Sequence, residues 1–161
     1  MQEQALSEYR VEKQRAAATL TLAHGINVSG AFFVAGASGV YPGPERIGDL
    51  LNTESGFFPF ELTDAGGALT TLLNRDHLVT VRLEHNEAMH DPGYRYAITR
   101  TLSLLLTTGE RLTGEVRVYR PAGRDRLSDW ARHGQRFRYV ETPTATVIVN
   151  VDHIIEAREV Q

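Results

Sequence analysis

The chain has 161 residues, of which 42% are hydrophobic and 23% charged, the balance of one or two small globular domains. Its net charge of -3 gives no global pull toward nucleic acid, and the absence of cysteine excludes disulfides, zinc ribbons and thiol catalysis. No apolar run approaches the roughly 20 residues that span a bilayer, so no membrane insertion is expected, and a cysteine-free chain without a recognisable signal peptide is expected in the cytoplasm.

Residues 1–16 are polar, with Ala5, Leu6 and Tyr9 spaced for a short surface helix or tail. From Thr19 the period becomes two. Leu20 and Leu22, a His24-Gly25 turn, then Val28, Gly30, Phe32 and Val34 predict a hairpin with one apolar face. Gly30 interrupts that face, as a bend or a close backbone approach requires. A loop rich in glycine and proline follows, and Pro44, Arg46 and Asp49 predict a helical turn in which Arg46 and Asp49 pair at i,i+3. Further strands are expected around Phe58 and Phe60, and on both sides of Asn74-Arg75-Asp76-His77.

The second half repeats this text. Leu104, Leu106, Gly109, Leu112, Gly114, Val116 and Val118 follow Leu20, Leu22, Gly25, Val28, Gly30, Phe32 and Val34 by 84 residues. Arg126 and Asp129 follow Arg46 and Asp49 by 80, with Gly134 as a stop signal. Phe137 and Tyr139 follow Phe58 and Phe60 by 79, and Asn150-Val151-Asp152-His153 follows Asn74-Arg75-Asp76-His77 by 76. The offset shrinks only across predicted loops, which is the signature of an internal duplication. The expected organisation is a helix or tail over 1–16, a first repeat over 17–86, a turn at Asp91-Pro92-Gly93, and a second repeat over 94–161. Each repeat predicts five short strands. A sheet that small hides both faces by curling into a barrel. The matched cores are expected at Leu22, Val28, Phe32, Leu78 and Val81, and at Leu106, Leu112, Val116, Ile154 and Ala157.

The glycines Gly30 and Gly114 in a bent second strand, with a tight polar turn between the fourth and fifth strands, resemble the Sm-like and SH3-like small barrels. The resemblance implies a mainly β fold of two tandem five-stranded barrels. Sm-like proteins commonly form rings and bind RNA. The third-strand Asp-x-apolar-Asn element of that family is replaced here by Phe58-Pro59-Phe60-Glu61 and Phe137-Arg138-Tyr139-Val140, and the Arg-Gly of its final turn by Asn74-Arg75 and Asn150-Val151. The resemblance therefore carries the fold further than it carries RNA binding.

Asp76-His77 and Asp152-His153 are adjacent on the chain and point apart, which suits a capped turn better than a metal site. No Walker loop, nucleophile elbow or zincin motif occurs, so no enzyme, cofactor or metal is expected. Charge is distributed unevenly. Eight arginines, Arg111, Arg117, Arg120, Arg124, Arg126, Arg132, Arg136 and Arg138, stand against three acids in one window of the second repeat, around the single Trp130. The first repeat instead carries Phe57, Phe58, Glu45, Asp49, Glu54, Glu61 and Asp64. Arg117, Arg120, Arg124, Arg126, Arg132, Arg136, Arg138 and Trp130 are the candidate binding residues. The expected role is a non-enzymatic assembly or adaptor protein that binds a protein partner or itself head to tail. The alternative is nucleic-acid or nucleotide binding through the same arginines.

Overall fold

The alternating segments all become strands. The structure, a computed structural model, describes residues 13–38, 43–63, 67, 69–119, 123, 126–132 and 134–161. The first half contains β1 (Lys13–Leu22), β2 (Asn27–Ala35), β3 (Phe57–Leu62), β4 (Leu69–Asn74) and β5 (Leu78–Leu83). The second contains β6 (Ile98–Leu106), β7 (Arg111–Val118), β8 (Phe137–Glu141), β9 (Thr146–Asn150) and β10 (Ile154–Glu159). Between the second and third strands of each half lies a short helix, α1 (Ile47–Thr53) and α2 (Leu127–Arg132).

The fold is mainly β, but the strands form one open antiparallel sheet in the order β10-β6-β7-β8-β9-β5-β1-β2-β3-β4. Two closed barrels were the expectation, and the pairing of β5 with β9 replaces them. Each five-stranded half has two edges of unpaired backbone groups. Joining β5 to β9 satisfies one edge of each half without either closing on itself. The order within the halves is the same: fifth, first, second, third, fourth.

The bend glycines are explained by close approach. A Cβ on Gly30 would lie 1.9 Å from the Glu61 carbonyl oxygen, and one on Gly114 would lie 2.7 Å from that of Glu141. Only a residue without a side chain lets the third strand cross there. In the β1–β2 turn His24 takes φ 67°, the left-handed region, next to Gly25 at 79°.

Two cores form. Phe32, Phe58, Phe60, Leu20, Leu51, Leu78 and Val81 centre the first; Leu102, Leu104, Leu106, Val116, Val140 and Val149 centre the second. Of the expected core residues, Phe32, Leu78, Val81, Leu106 and Val116 are buried. Leu22, Val28, Leu112, Ile154 and Ala157 are only partly buried and pack against the core margins. The N-terminal expectation is corrected where it can be seen. Residues 1–12 lie outside the described residues, but Lys13–Ala16 belong to β1 and pair with Phe32–Ala35. A ladder partner, not an apolar period, makes that polar segment a strand.

Candidate interaction site

The two halves meet at β5 and β9, paired as Thr80↔Val149, Val81↔Ile148 and Arg82↔Val147. Both faces of this junction are covered. Val81 and Ile148 enter the first core, while Val79 and Val149 enter the second. All five residues of β9 are buried.

The repeated polar turns lie side by side at one end of the junction. In each, the asparagine accepts the N–H two residues on, Asn74 from Asp76 and Asn150 from Asp152, at 3.0 Å. This is the capped turn expected of those residues. Asn150 goes further: its Nδ2 donates across the junction to the carbonyls of Leu78 (2.8 Å) and Arg75 (3.3 Å). His153 places Nε2 2.6 Å from the Asp76 carbonyl and Nδ1 2.7 Å from the Thr107 hydroxyl. Arg136 bridges Asp76 and Asp152, each at 2.9 Å. His77 is exposed and makes no hydrogen bond among the described residues.

A second set of contacts seats α1 of the first half on the second. Arg46 forks onto Asp49 (2.8 and 3.0 Å), as its spacing predicts, and also holds Asp91 at 2.6 Å. Burial alone would lower the Arg46 pKa, but hydrogen bonds with Asp49 and Asp91 outweigh it and leave it raised. Glu87 accepts the first free N–H groups of α1, from Ile47 (3.0 Å) and Gly48 (2.8 Å), and the Tyr139 hydroxyl at 2.8 Å. Burial pushes the Glu87 carboxyl above its ordinary range despite those donors. Gly48 lets Tyr139 approach: a Cβ there would lie 2.4 Å from the phenol oxygen. Asn52 brackets the backbone of Phe137, donating to its carbonyl at 2.8 Å and accepting its N–H at 2.9 Å.

Three of the candidate arginines, Arg117, Arg136 and Arg138, are half-buried and engaged within the molecule. Arg117 binds Glu141 at 2.9 Å and stacks 3.6 Å above the Tyr94 ring. Burial raises the Glu141 carboxyl, but donors from Tyr94, Arg117 and Asn86 outweigh it and hold its pKa low. Arg138 donates to the carbonyls of Gln135 and Trp130 and covers the Trp130 ring, and burial lowers its pKa. Arg126 and Asp129 do not form the side-chain pair seen at Arg46 and Asp49. Asp129 instead accepts the Arg126 backbone N–H at 3.1 Å. Arg126 and Arg132 are exposed and form no ion pair among the described residues, and Arg120 and Arg124 lie outside them. Asp49, Glu61 and Glu45 of the first half are likewise engaged within the molecule, while Glu54 is exposed and forms no ion pair among the described residues. Glu61 pairs with Arg15 at 2.9 Å, and Glu45 accepts the Ala35 N–H at 3.1 Å. Part of the expected charge complementarity is thus used inside the molecule, and Asp64 lies outside the described residues.

Beside Trp130 a cavity of about 520 Å³ opens between α2, β8 and the linker, with Tyr119, Phe137, Tyr139, Arg117 and Arg138 among its lining residues. No three described acids or histidines gather to hold a metal. No described helix is long and apolar enough to cross a membrane. In comparison with known proteins, no family model, no curated protein and no solved structure matches the chain.

Sequence reasoning missed Arg75 and Glu87 as structural residues, and it gave Asp91 only as a turn residue, not as a partner of Arg46. For Arg75 one signal existed: it is the member of its turn that breaks the repeat, standing where the second copy has Val151.

Proposed function

We propose that the chain is a non-enzymatic assembly module, built from two duplicated Sm-like or SH3-like units that share one sheet and recruit β-strands at its open ends. One observation carries this reading: among the described residues, β4 and β10 have no strand partner on their outer sides, and large apolar side chains are exposed beside them. Leu69, Leu72 and Phe57 flank the β4 edge, and Ile155 and Val160 flank the β10 edge. A strand added to such an edge gains main-chain hydrogen bonds, and alternate side chains supply specificity. The matching strand orders, the two bend glycines and the paired Asn-x-Asp-His turns support the duplication and the family likeness. A cytoplasmic setting goes with this reading and rests on the cysteine-free composition.

The test is hydrogen exchange at the edges. Peptides of alternating apolar and polar residues, added in excess, should protect the amides of β4 or β10. Leu72→Lys should weaken capture at β4, and Ile155→Lys at β10, by tenfold or more, about 1.4 kcal/mol. If no strand peptide slows exchange at either edge, the assembly reading fails.

A second reading, nucleotide or single-stranded nucleic-acid binding, has the aromatic-walled cavity and the exposed Arg126 and Arg132 in its favour. Binding of this kind would weaken steeply with added salt, and Arg126→Ala with Arg132→Ala would flatten the slope. Absence of binding to single-stranded RNA at low salt would remove it.

A further inference from the structure

The open edges have the same sequence positions as the buried junction strands. By the 76-residue offset, β4 corresponds to β9 and β10 to β5. Leu72 stands where Ile148 does, yet it is 65% exposed where Ile148 is 1%. Ile155 stands where Val79 does, at 63% against 0%. Asn74 caps its turn as Asn150 does, but its Nδ2 finds no acceptor among the described residues, while that of Asn150 spans the junction. His77 is exposed, while its counterpart His153 reaches the Asp76 carbonyl. Each half therefore presents an incomplete version of a contact that the molecule already makes once.

We propose that what completes it is a second copy of this chain. Resting on the assembly reading, this names the partner: β4 of one molecule pairs antiparallel with β10 of the next. The internal register, carried over by the same offset, sets Leu73 opposite Glu156, Leu72 opposite Ala157 and Thr71 opposite Arg158. Asn74 then donates to the Ile154 and Val151 carbonyls of the next molecule, and His77 reaches its Asp152 carbonyl. The exposed apolar side chains of Leu72 and Ile155 become covered, as Ile148 and Val79 are.

The charges on β10 do not oppose this pairing. Glu156 is held by Arg111 at 3.3 Å and by Arg158, and Glu159 by Arg100 at 3.2 Å. Arg158 occupies the position of Arg82, which sits within the formed junction and donates to Thr144 at 2.8 Å. The two contacts differ in strength. Arg136, which bridges Asp76 and Asp152 inside the molecule, is matched by the exposed Phe57, and Asn52, which brackets Phe137, by Arg132. The contact between molecules lacks those polar clamps and the covalent linker, so it is the reversible one. It is heterologous, and repeats until it closes into a ring or runs on as a filament.

The cysteine-free chain allows a direct test. Leu72→Cys and Ala157→Cys, made as separate variants and mixed under mild oxidation, should give a mixed disulfide dimer, because directly opposed strand residues meet the distance a disulfide needs. Leu72→Cys mixed with Glu159→Cys, two residues out of register, should give little. All three substituted positions lie on the edge strands β4 and β10, and thermal melts of the reduced variants confirm folding before oxidation. The wild-type protein should gain mass with concentration in sedimentation, and Leu72→Lys should abolish the gain. A protein that stays monomeric at its highest soluble concentration, or cross-linking no better in register than out, overturns the proposal. If strand peptides still protect the edges in that case, only self-pairing is lost. If they do not, the assembly reading falls with it.

Discussion

Replacing Arg75 with methionine should destabilise the protein by about 4 kcal/mol, roughly 10 °C in Tm for a chain of this length. Arg75 is 1% exposed and has no carboxylate partner within salt-bridge distance among the described residues. Its guanidinium instead donates to five carbonyls: Leu50 and Leu51 at 3.2 Å, Phe57 at 2.9 Å, Ser55 and Gly56 at 3.4 Å. Leu50 and Leu51 lie in the last turn of α1, whose carbonyls have no partner within the helix. One side chain thus caps the helix and fixes the loop that leads into β3, with its charge over the Phe58 ring at 5.6 Å. Burial lowers its pKa from the usual arginine value. Methionine fills much of the stem volume and removes every donor, so the buried acceptors lose their partners. Lysine keeps the charge, but a single nitrogen cannot serve the same fork of carbonyls, and about half the loss should remain. Urea denaturation checks both variants. A methionine variant within 1 kcal/mol of wild type, the lower end of what an unsatisfied buried acceptor costs, would mean that water replaces the guanidinium without penalty.

That residue also marks where sequence reasoning stops. An arginine between Asn74 and Asp76 reads as an exposed turn residue, because nothing local says that α1 ends above it. The second half solves the same problem from another strand: Arg138, where the first half has Pro59, donates to the Trp130 carbonyl of α2. The arginines that looked like a binding face are therefore partly helix caps, and composition cannot separate the two uses. The strands were legible because alternation survives in both halves, and the bends because glycine breaks it at Gly30 and Gly114. The pairing of β5 with β9 was not legible. β4 and β9 share apolar positions at Leu72/Ile148 and Leu73/Val149, and β5 and β10 at Leu78/Ile154, Val79/Ile155 and Val81/Ala157, so that only Val147 in place of Thr71 and Leu83 in place of Glu159 distinguish the strands that meet. The rest of the difference lies in the surroundings: the linker, Arg136 and Asn52 select one pairing and leave the other two edges open.

Phe32→Ala should cost about 4 kcal/mol, and the loss should be felt in both halves. The Phe32 side chain is fully buried, stacked on Phe58 with ring centres 5.3 Å apart and edge-on to Phe60 at 5.2 Å. Truncation removes the middle of a three-ring cluster that the surrounding strands are too well paired to collapse around. Val116, its counterpart, is equally buried but smaller, and Val116→Ala should cost about 2 kcal/mol from two lost methyl groups. The two cores meet at β5 and β9, whose side chains alternate between them, so neither half can unfold without stripping a wall from the other. Trp130, the only tryptophan, packs in the second core, whereas Phe32 lies in the first. Its fluorescence should follow the same denaturation curve as the far-ultraviolet circular dichroism, and Phe32→Ala should move both midpoints together. A Trp130 transition left in place while the dichroism shifts would show that the halves unfold separately, and that the shared β5–β9 junction does not couple them.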